Sequence, residues 1–337
     1  MTPRFDFASD NTAGMAPEAL AALVHANAGA AEAYGEDATS AHAARLVREL
    51  LDVDASVHFV PTGTAANALA LATLCGSHQA VAVHGHAHVR RGEAGAPGFF
   101  GGGLGLVPVG GEHGRIAMAD LERLLTRPNS SSDQPIAALS ISNPTEYGAL
   151  YPLDALVALV GMARDHGLAV HLDGARLACA AAAGLDLRAL ARLDISILVL
   201  GGTKAGMPGS EAIVLLDKTR DRHFVARIKQ SGHLLSKGRF LAAPWIGMLE
   251  SGAWIERSRH ANGMARRLID RLAITPAHPV ETNAVFLAME AEQRARLRAL
   301  GWVFYGLADG HARFLCSWST TEAAIDELAD AIVATRP

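Results

Sequence analysis

Lys204 follows an apolar run at residues 195–200 and the glycine pair Gly201-Gly202. The run has the length and β-branched content of a buried strand, and the glycines stop it. The lysine therefore falls on the loop beyond the strand's carboxyl end. Open α/β sheets bind ligands at that edge. A lysine amine held among apolar neighbours has a lowered pKa and can attack a carbonyl. A second apolar run, residues 168–172, ends in Asp173-Gly174-Ala175-Arg176. One helix and the next strand fit between the two runs, as in a βαβ unit, which sets a carboxylate and an amine at neighbouring strand ends. Either residue alone is compatible with a solvated side chain at a turn. Together they suit a pyridoxal phosphate (PLP) enzyme, in which a lysine holds the cofactor as a Schiff base. An acid beside the pyridinium nitrogen then keeps the ring protonated and electron-accepting.

Other stretches offer further chemistry. Pro61-Thr62-Gly63-Thr64 separates a short strand, residues 57–60, from a helix expected to run to about Leu74. Small residues with free amides at a helix start make an anion site, with an ordinary capped helix as the competing reading. His84, His86 and His88 would share one face of a strand, and three imidazoles there could ligate zinc. Nothing else suggests open metal coordination, so no metal is expected. The glycine-rich stretch at residues 98–105 lacks the lysine of a P-loop and reads as a turn before the next strand. Glu146 follows a strand at residues 137–142, so it either reaches the same edge as Asp173 and Lys204 or points into solvent. The basic stretch at residues 231–239, which includes Lys237, reads by itself as a solvated face.

The elements that must position these residues are those of a globular α/β chain. Its 337 residues are long for one compact core and sufficient for two domains sharing a site. Half are hydrophobic and 19% are charged, which excludes a disordered chain. A net charge of −4 without dense basic runs argues against nucleic acid as a partner. Cys75, Cys179 and Cys316 are widely spaced and suggest neither a disulfide framework nor zinc. Residues 1–7 lack the apolar core of a signal peptide, and no stretch reaches membrane-span length. A soluble protein of a reducing cytoplasm is expected.

The order and spacing of these motifs over almost the whole chain resemble the L-threonine aldolases among the fold-type-I PLP enzymes. The likeness rests on His171-Leu172-Asp173-Gly174-Ala175-Arg176 and on Gly201-Gly202-Thr203-Lys204-Ala205-Gly206. It is nearest to the bacterial low-specificity branch, which reads Gly-x-Thr-Lys at the lysine. The resemblance implies an α/β fold with a PLP-binding large domain, residues 1–248, built on a mainly parallel sheet. A smaller C-terminal α/β domain, residues 249–337, completes it. The implied activity is retro-aldol cleavage of L-threonine, L-allo-threonine and related β-hydroxy-α-amino acids to glycine and an aldehyde. A phenylserine-preferring aldolase or a PLP-dependent β-eliminating lyase is the alternative within the class. A metal-binding or non-catalytic protein on the same fold is the alternative outside it.

The resemblance also assigns residues. Lys204 carries PLP, Asp173 pairs with the ring nitrogen, and Gly63 and Thr64 form the phosphate cup, with Thr203 and Arg176 also on the cofactor. His88, five residues before Glu93, matches the histidine that stacks on the cofactor; His88, Glu93 or a water they position is the base. Ser9, Arg176 and Arg313 hold the substrate carboxylate, and Tyr34 stands near the site. Many relatives carry histidine at Glu146, whose role stays open. The family's phosphate-binding arginine, commonly from the partner subunit, falls on Ser236 here, which leaves Lys237 as the nearest cation. A homodimer or homotetramer with the site at the subunit interface is implied.

Overall fold

The apolar runs become strands of one sheet in the computed structural model, which describes residues 6–128 and 130–336. The readings at residues 1–5 and at Asn129 lie outside the described residues. The strands are β1 (Ser56–Val60), β2 (Ala80–His84), β3 (Gly105–Val109), β4 (Ile136–Ser142), β5 (Ala169–Gly174), β6 (Ile197–Gly201) and β7 (Glu211–Leu215). Their spatial order is β1-β7-β6-β5-β4-β2-β3. The pairings from β6 to β3 are parallel, and only β7 runs antiparallel to its neighbours β1 and β6. Strands β2, β6 and β7 are buried along their whole length. That is why they read as unbroken apolar runs rather than alternating ones: helices cover both faces. Leu139, Leu172, Leu198 and Val214 face one buried cluster, and Val83, Ala138, Val199 and Ile213 face another. The helix Gly63–Leu74 lies in the second cluster and is buried at nine of its twelve positions, so its sequence is apolar all round.

Between β5 and β6 the chain forms two short helices, Leu177–Ala182 and Leu187–Ala191, where one was expected. The break has a local cause. Gly184 takes a positive φ of 106°, and the Asp186 carboxylate caps the second helix through the Arg188 and Ala189 amides. The three histidines do not share a strand face either. β2 stops at His84, the His86 amide donates to His84 Nδ1, and His88 opens the short helix His88–Arg91. No group of three potential metal ligands occurs among the described residues. The glycine-rich stretch is partly helical, Ala96–Phe100, before it turns into β3.

Two helices, Arg239–Glu250 and Ala253–Leu272, lead to a three-stranded antiparallel sheet. It comprises β8 (Ala284–Ala288), β9 (Tyr305–Gly306) and β10 (His311–Leu315), with β10 central. Phe7 is fully buried in this sheet's core beside Leu268, Val285 and Phe314. Its amide donates to Val303 and its carbonyl accepts from Leu315. The N-terminal segment is thereby tied to the small sheet, which steers Ser9 and Asp10 toward the edge of the large one.

His171, on β5, is fully buried and hydrogen-bonded to the Ser140 hydroxyl at 2.9 Å. Burial pushes its pKa down from 6.5 to about 4. A depressed base supplies stability that is complete above its unfolded pKa and is lost as pH falls through the folded one. Asparagine at this position cannot titrate. Between pH 6.5 and pH 4, His171→Asn should therefore gain stability relative to the wild type by about 3 kcal/mol. Urea unfolding of both proteins across that range measures the difference; parallel curves would acquit His171.

Candidate active site

The strand edge brings the two charged tips together as the spacing requires. Asp173 is the penultimate residue of β5, and Lys204 sits in the single turn Thr203–Ala205 directly after β6, the parallel neighbour. Asp173 is 3% exposed. Its Oδ1 accepts from the Ala175 amide at 3.0 Å and its Oδ2 from the Asn67 side chain at 3.1 Å. Lys204 is half-buried and within electrostatic reach of Asp10, His88 and Glu211.

Asn67 organises the second half of the site. The same Nδ2 that donates to Asp173 donates to Glu93 Oε1 at 2.8 Å, and that oxygen also meets His88 Nδ1 at 2.9 Å. The chain of contacts thus runs Asp173, Asn67, Glu93, His88. Burial raises the Glu93 carboxyl, and the hydrogen bond that His88 donates to Glu93 raises the imidazole. With Nδ1 turned toward Glu93, His88 presents Nε2 to the cavity as a proton acceptor. The ring lies against Gly92, where a Cβ would stand 2.6 Å from Nε2, so only glycine permits this approach. Glu93, expected as a possible base, has a fully buried side chain behind His88 and acts through it. Asn67 was not foreseen, although it is the one side-chain amide in an otherwise alanine- and leucine-rich helix.

The helix Gly63–Leu74 begins just beyond β1. Thr62 is its N-cap and accepts from the Ala65 amide at 3.1 Å. This leaves the Gly63 and Thr64 amides, the first two of the helix, to a ligand. The space beside Gly63 is open: a Cβ there would meet no atom within 4 Å.

A cavity of about 500 Å³ adjoins this edge, lined among others by His88, Gly92, Glu146, Tyr147, Phe286 and Arg313. Glu146 is half-buried and lines this cavity with His88 and Arg313. Arg313 donates to the Ala8 carbonyl at 3.1 Å, and its buried Nε has no partner among the described residues. Burial lowers its pKa, and the nearby Arg176 charge adds to the effect. Ser9 adjoins Ala8 and caps the turn Asp10–Thr12 through the Asn11 amide.

Four expected site residues are engaged differently. Arg176 makes a two-point ion pair with buried Asp10, Nε to Oδ2 at 2.6 Å and Nη2 to Oδ1 at 2.9 Å, so most of its fork is already used. Asp10, the residue after Ser9, also accepts from the Asn283 side chain. Thr203 turns its hydroxyl to Glu211 at 2.6 Å. Tyr34 and Lys237 are exposed in a separate patch. There the Tyr34 amide donates to the Ser236 carbonyl at 3.0 Å, and Lys229 lies over the Tyr34 ring.

The Arg176–Asp10 pair generates a stability prediction. Both side chains are nearly solvent-free, at 12% and 1% exposure. Asp10→Ala leaves a buried guanidinium without its carboxylate and should cost about 3 kcal/mol or more in urea unfolding. A loss near zero would mean the pair is solvated or unformed.

The beta-eliminating lyase family model matches residues 6–292. The chain is 41% identical to a low specificity L-threonine aldolase of Pseudomonas sp. (strain NCIMB 10558), over 96% of this chain and 95% of that one. The solved Leishmania major threonine aldolase superposes with a TM-score of 0.92 at 30% identity, covering 98% of this chain and 99% of that one. A serine palmitoyltransferase from S. paucimobilis, solved with bound PLP, shares the fold at a TM-score of 0.72 and 16% identity, over 98% and 87% of the two chains. The chain belongs to the beta-eliminating lyase family, in its threonine aldolase branch.

Proposed function

We infer that this chain is a PLP-dependent aldehyde-lyase that cleaves L-threonine, L-allo-threonine and related β-hydroxy-α-amino acids to glycine and an aldehyde. The observation that carries the reading is the pairing of Asp173 and Lys204 at adjacent parallel strand ends, beside a cavity that holds His88, Glu146 and Arg313.

The residues present fit the cofactor. The Gly63 and Thr64 amides and the open space beside Gly63 suit a phosphate, which a helix N-terminus favours electrostatically. The buried Asp173 carboxylate suits a protonated ring nitrogen, and Lys204 supplies the amine. When bound, PLP supplies an aldehyde for that amine and a ring that takes up the electron pair of the broken Cα–Cβ bond. The chain's own side chains do the rest. Asp173 holds the proton on the ring nitrogen. Arg313, whose Nε lacks a partner, takes the substrate carboxylate with its fork, and Ser9 stands beside it. Arg176 keeps Nη1 for a ligand while its other nitrogens fix Asp10 and the turn that carries Ser9. His88, through Nε2, and Glu146 both face the cavity from which the β-hydroxyl proton must be taken. The apolar wall of Tyr147, Phe286 and Leu307 favours a second reading within the class, a preference for an aryl β-substituent as in phenylserine.

We further propose that the protein is a homodimer or homotetramer. The patch of Tyr34, Ser236 and Lys237, apart from Lys204 in its own chain, would serve the phosphate of the partner's site. We also propose a division of the chain into residues 1–248 and 249–337. A cytoplasmic location is supported by three free, buried cysteines, which fit a reducing compartment.

The deciding assay supplies PLP and measures aldehyde and ammonia released from threonine, allo-threonine and phenylserine. Aldehyde without ammonia is expected; ammonia with a keto acid would make the protein an eliminating lyase instead. In Lys204→Ala the borohydride-reducible chromophore should vanish, and its persistence would assign PLP to another lysine. Glu146→Gln should keep the chromophore and lower turnover by roughly ten- to a thousandfold. It should also shift the ratio of threonine to allo-threonine cleavage, because these substrates differ in where the hydroxyl points. Wild-type rates with an unchanged ratio would take Glu146 out of the reaction.

A further inference from the structure

β7 returns antiparallel along β6, so Glu211 lies opposite Gly201 on one side and Val60 of β1 on the other. Its carboxylate spans the turn that carries Lys204. Oε2 accepts from the Gly202 amide at 2.8 Å, and Oε1 accepts from the Thr203 hydroxyl at 2.6 Å. The Thr203 oxygen in turn accepts from the Ser210 amide at 3.1 Å. Two buried indoles complete the fastening: Trp254 donates to the Gly201 carbonyl and Trp245 to the Ser210 hydroxyl, each at 2.9 Å. Gly202 itself is hemmed in, since a Cβ there would stand 2.3 Å from the Ser210 carbonyl and 2.7 Å from the Met207 sulfur. The backbone leading into Lys204 is thus tied to buried partners, and the side chain leaves the turn in the direction those ties permit.

A carboxylate is a costly residue for a buried strand, and an apolar side chain would fill the position at lower cost. What an apolar residue cannot do is accept two hydrogen bonds at once from consecutive residues of the turn. We propose that Glu211 is the positioning residue for Lys204: its two oxygens hold Gly202 and Thr203 in the geometry from which the amine reaches the cofactor aldehyde. The proposal rests on the reading of Lys204 as the residue that holds PLP.

The surroundings make this seat sensitive to protons as well. Burial pushes the Glu211 carboxyl up to about 7, opposed by the hydrogen bonds from Thr203 and Gly202 and by the Lys204 charge. Asp173 on β5 reinforces the rise. Val60 of β1 and Trp245 of the helix Arg239–Glu250, which approach from the other sides, do not titrate. Lys204 and Asp173 are therefore the charges that face Glu211 among the described residues. Removing the Glu211 carboxylate would take away a negative charge that the Lys204 charge faces.

The test compares wild type, Glu211→Gln and Thr203→Val, each reconstituted with PLP. Two quantities are read: the affinity for PLP, and the pH midpoint of the visible band of the covalently held cofactor. Far-UV circular dichroism checks the fold. Glutamine keeps the shape but loses one acceptor and the charge. It should weaken PLP binding by roughly tenfold or more, as expected for losing a charge-assisted hydrogen bond. It should also lower the midpoint by about half a pH unit or more. A purely structural role for Glu211 would leave the midpoint in place. PLP affinity and midpoint indistinguishable from wild type in a folded Glu211→Gln would overturn the proposal. If that variant does not fold, Thr203→Val, which removes one arm of the clamp, is read by the same two quantities, and wild-type values there overturn it too. A wild-type protein with no borohydride-reducible band would instead refute the assignment of PLP to Lys204, and the proposal would fall with it.

Discussion

Charge taken out of water is the constraint on which this strand edge depends. Asp10, Glu93, Asp173 and Glu211 are all buried within one region of the fold, with Arg176 beside them and Arg313, Lys204 and His88 at its margin. An isolated ion in such a place costs several kcal/mol, so each must be answered by a partner or a hydrogen bond. The structure answers them in distinct ways. Asp10 is matched by the guanidinium of Arg176. Glu211 is given an amide and a hydroxyl. Asp173 and Glu93 carry like charge, and the neutral amide of Asn67 stands between them and donates to both. That choice leaves Asp173 free of a permanent counter-cation, which is what a carboxylate must be if it is to favour a proton on a cofactor nitrogen. A lysine or arginine in place of Asn67 would satisfy both carboxylates and compete with that nitrogen for Asp173.

The parts of this arrangement that could be read in the sequence are those encoded locally. Lys204 and Asp173 end apolar runs that glycine stops, and a parallel pair of strands follows from the helical stretch between them. Gly63 and Thr64 open a helix directly after a strand, so their amides had a predictable direction. The small residues and acids that complete the site were hidden because their partners are remote in sequence. Nothing near Arg176 announces that Asp10, 166 positions away, will take its fork. The Thr203 hydroxyl meets Glu211 of β7, whose antiparallel return has no signature in an apolar run buried on both faces. The alternating histidines left a strand reading open that the structure does not take, for a related reason. A period of two marks a strand only while the strand continues, and at His84 the side chain instead accepts the His86 amide and the chain turns. Tyr34 and Lys237 lie together in an exposed patch, and nothing in the sequence around either of them marks it.

The two strongly displaced titrations inside the sheet oppose each other. His171 is depressed from 6.5 to about 4, so its contribution to stability grows as pH rises through that interval. Glu211 is raised from 4.5 to about 7, so its contribution is full below pH 4.5 and is lost as pH rises toward 7. Each displacement amounts to about 3 kcal/mol, with opposite sign and over nearly the same range. The two contributions therefore run in opposite directions as pH changes. Their places relative to the site differ. His171 is sealed against Ser140 on β4, whereas Glu211 holds the turn from which Lys204 projects.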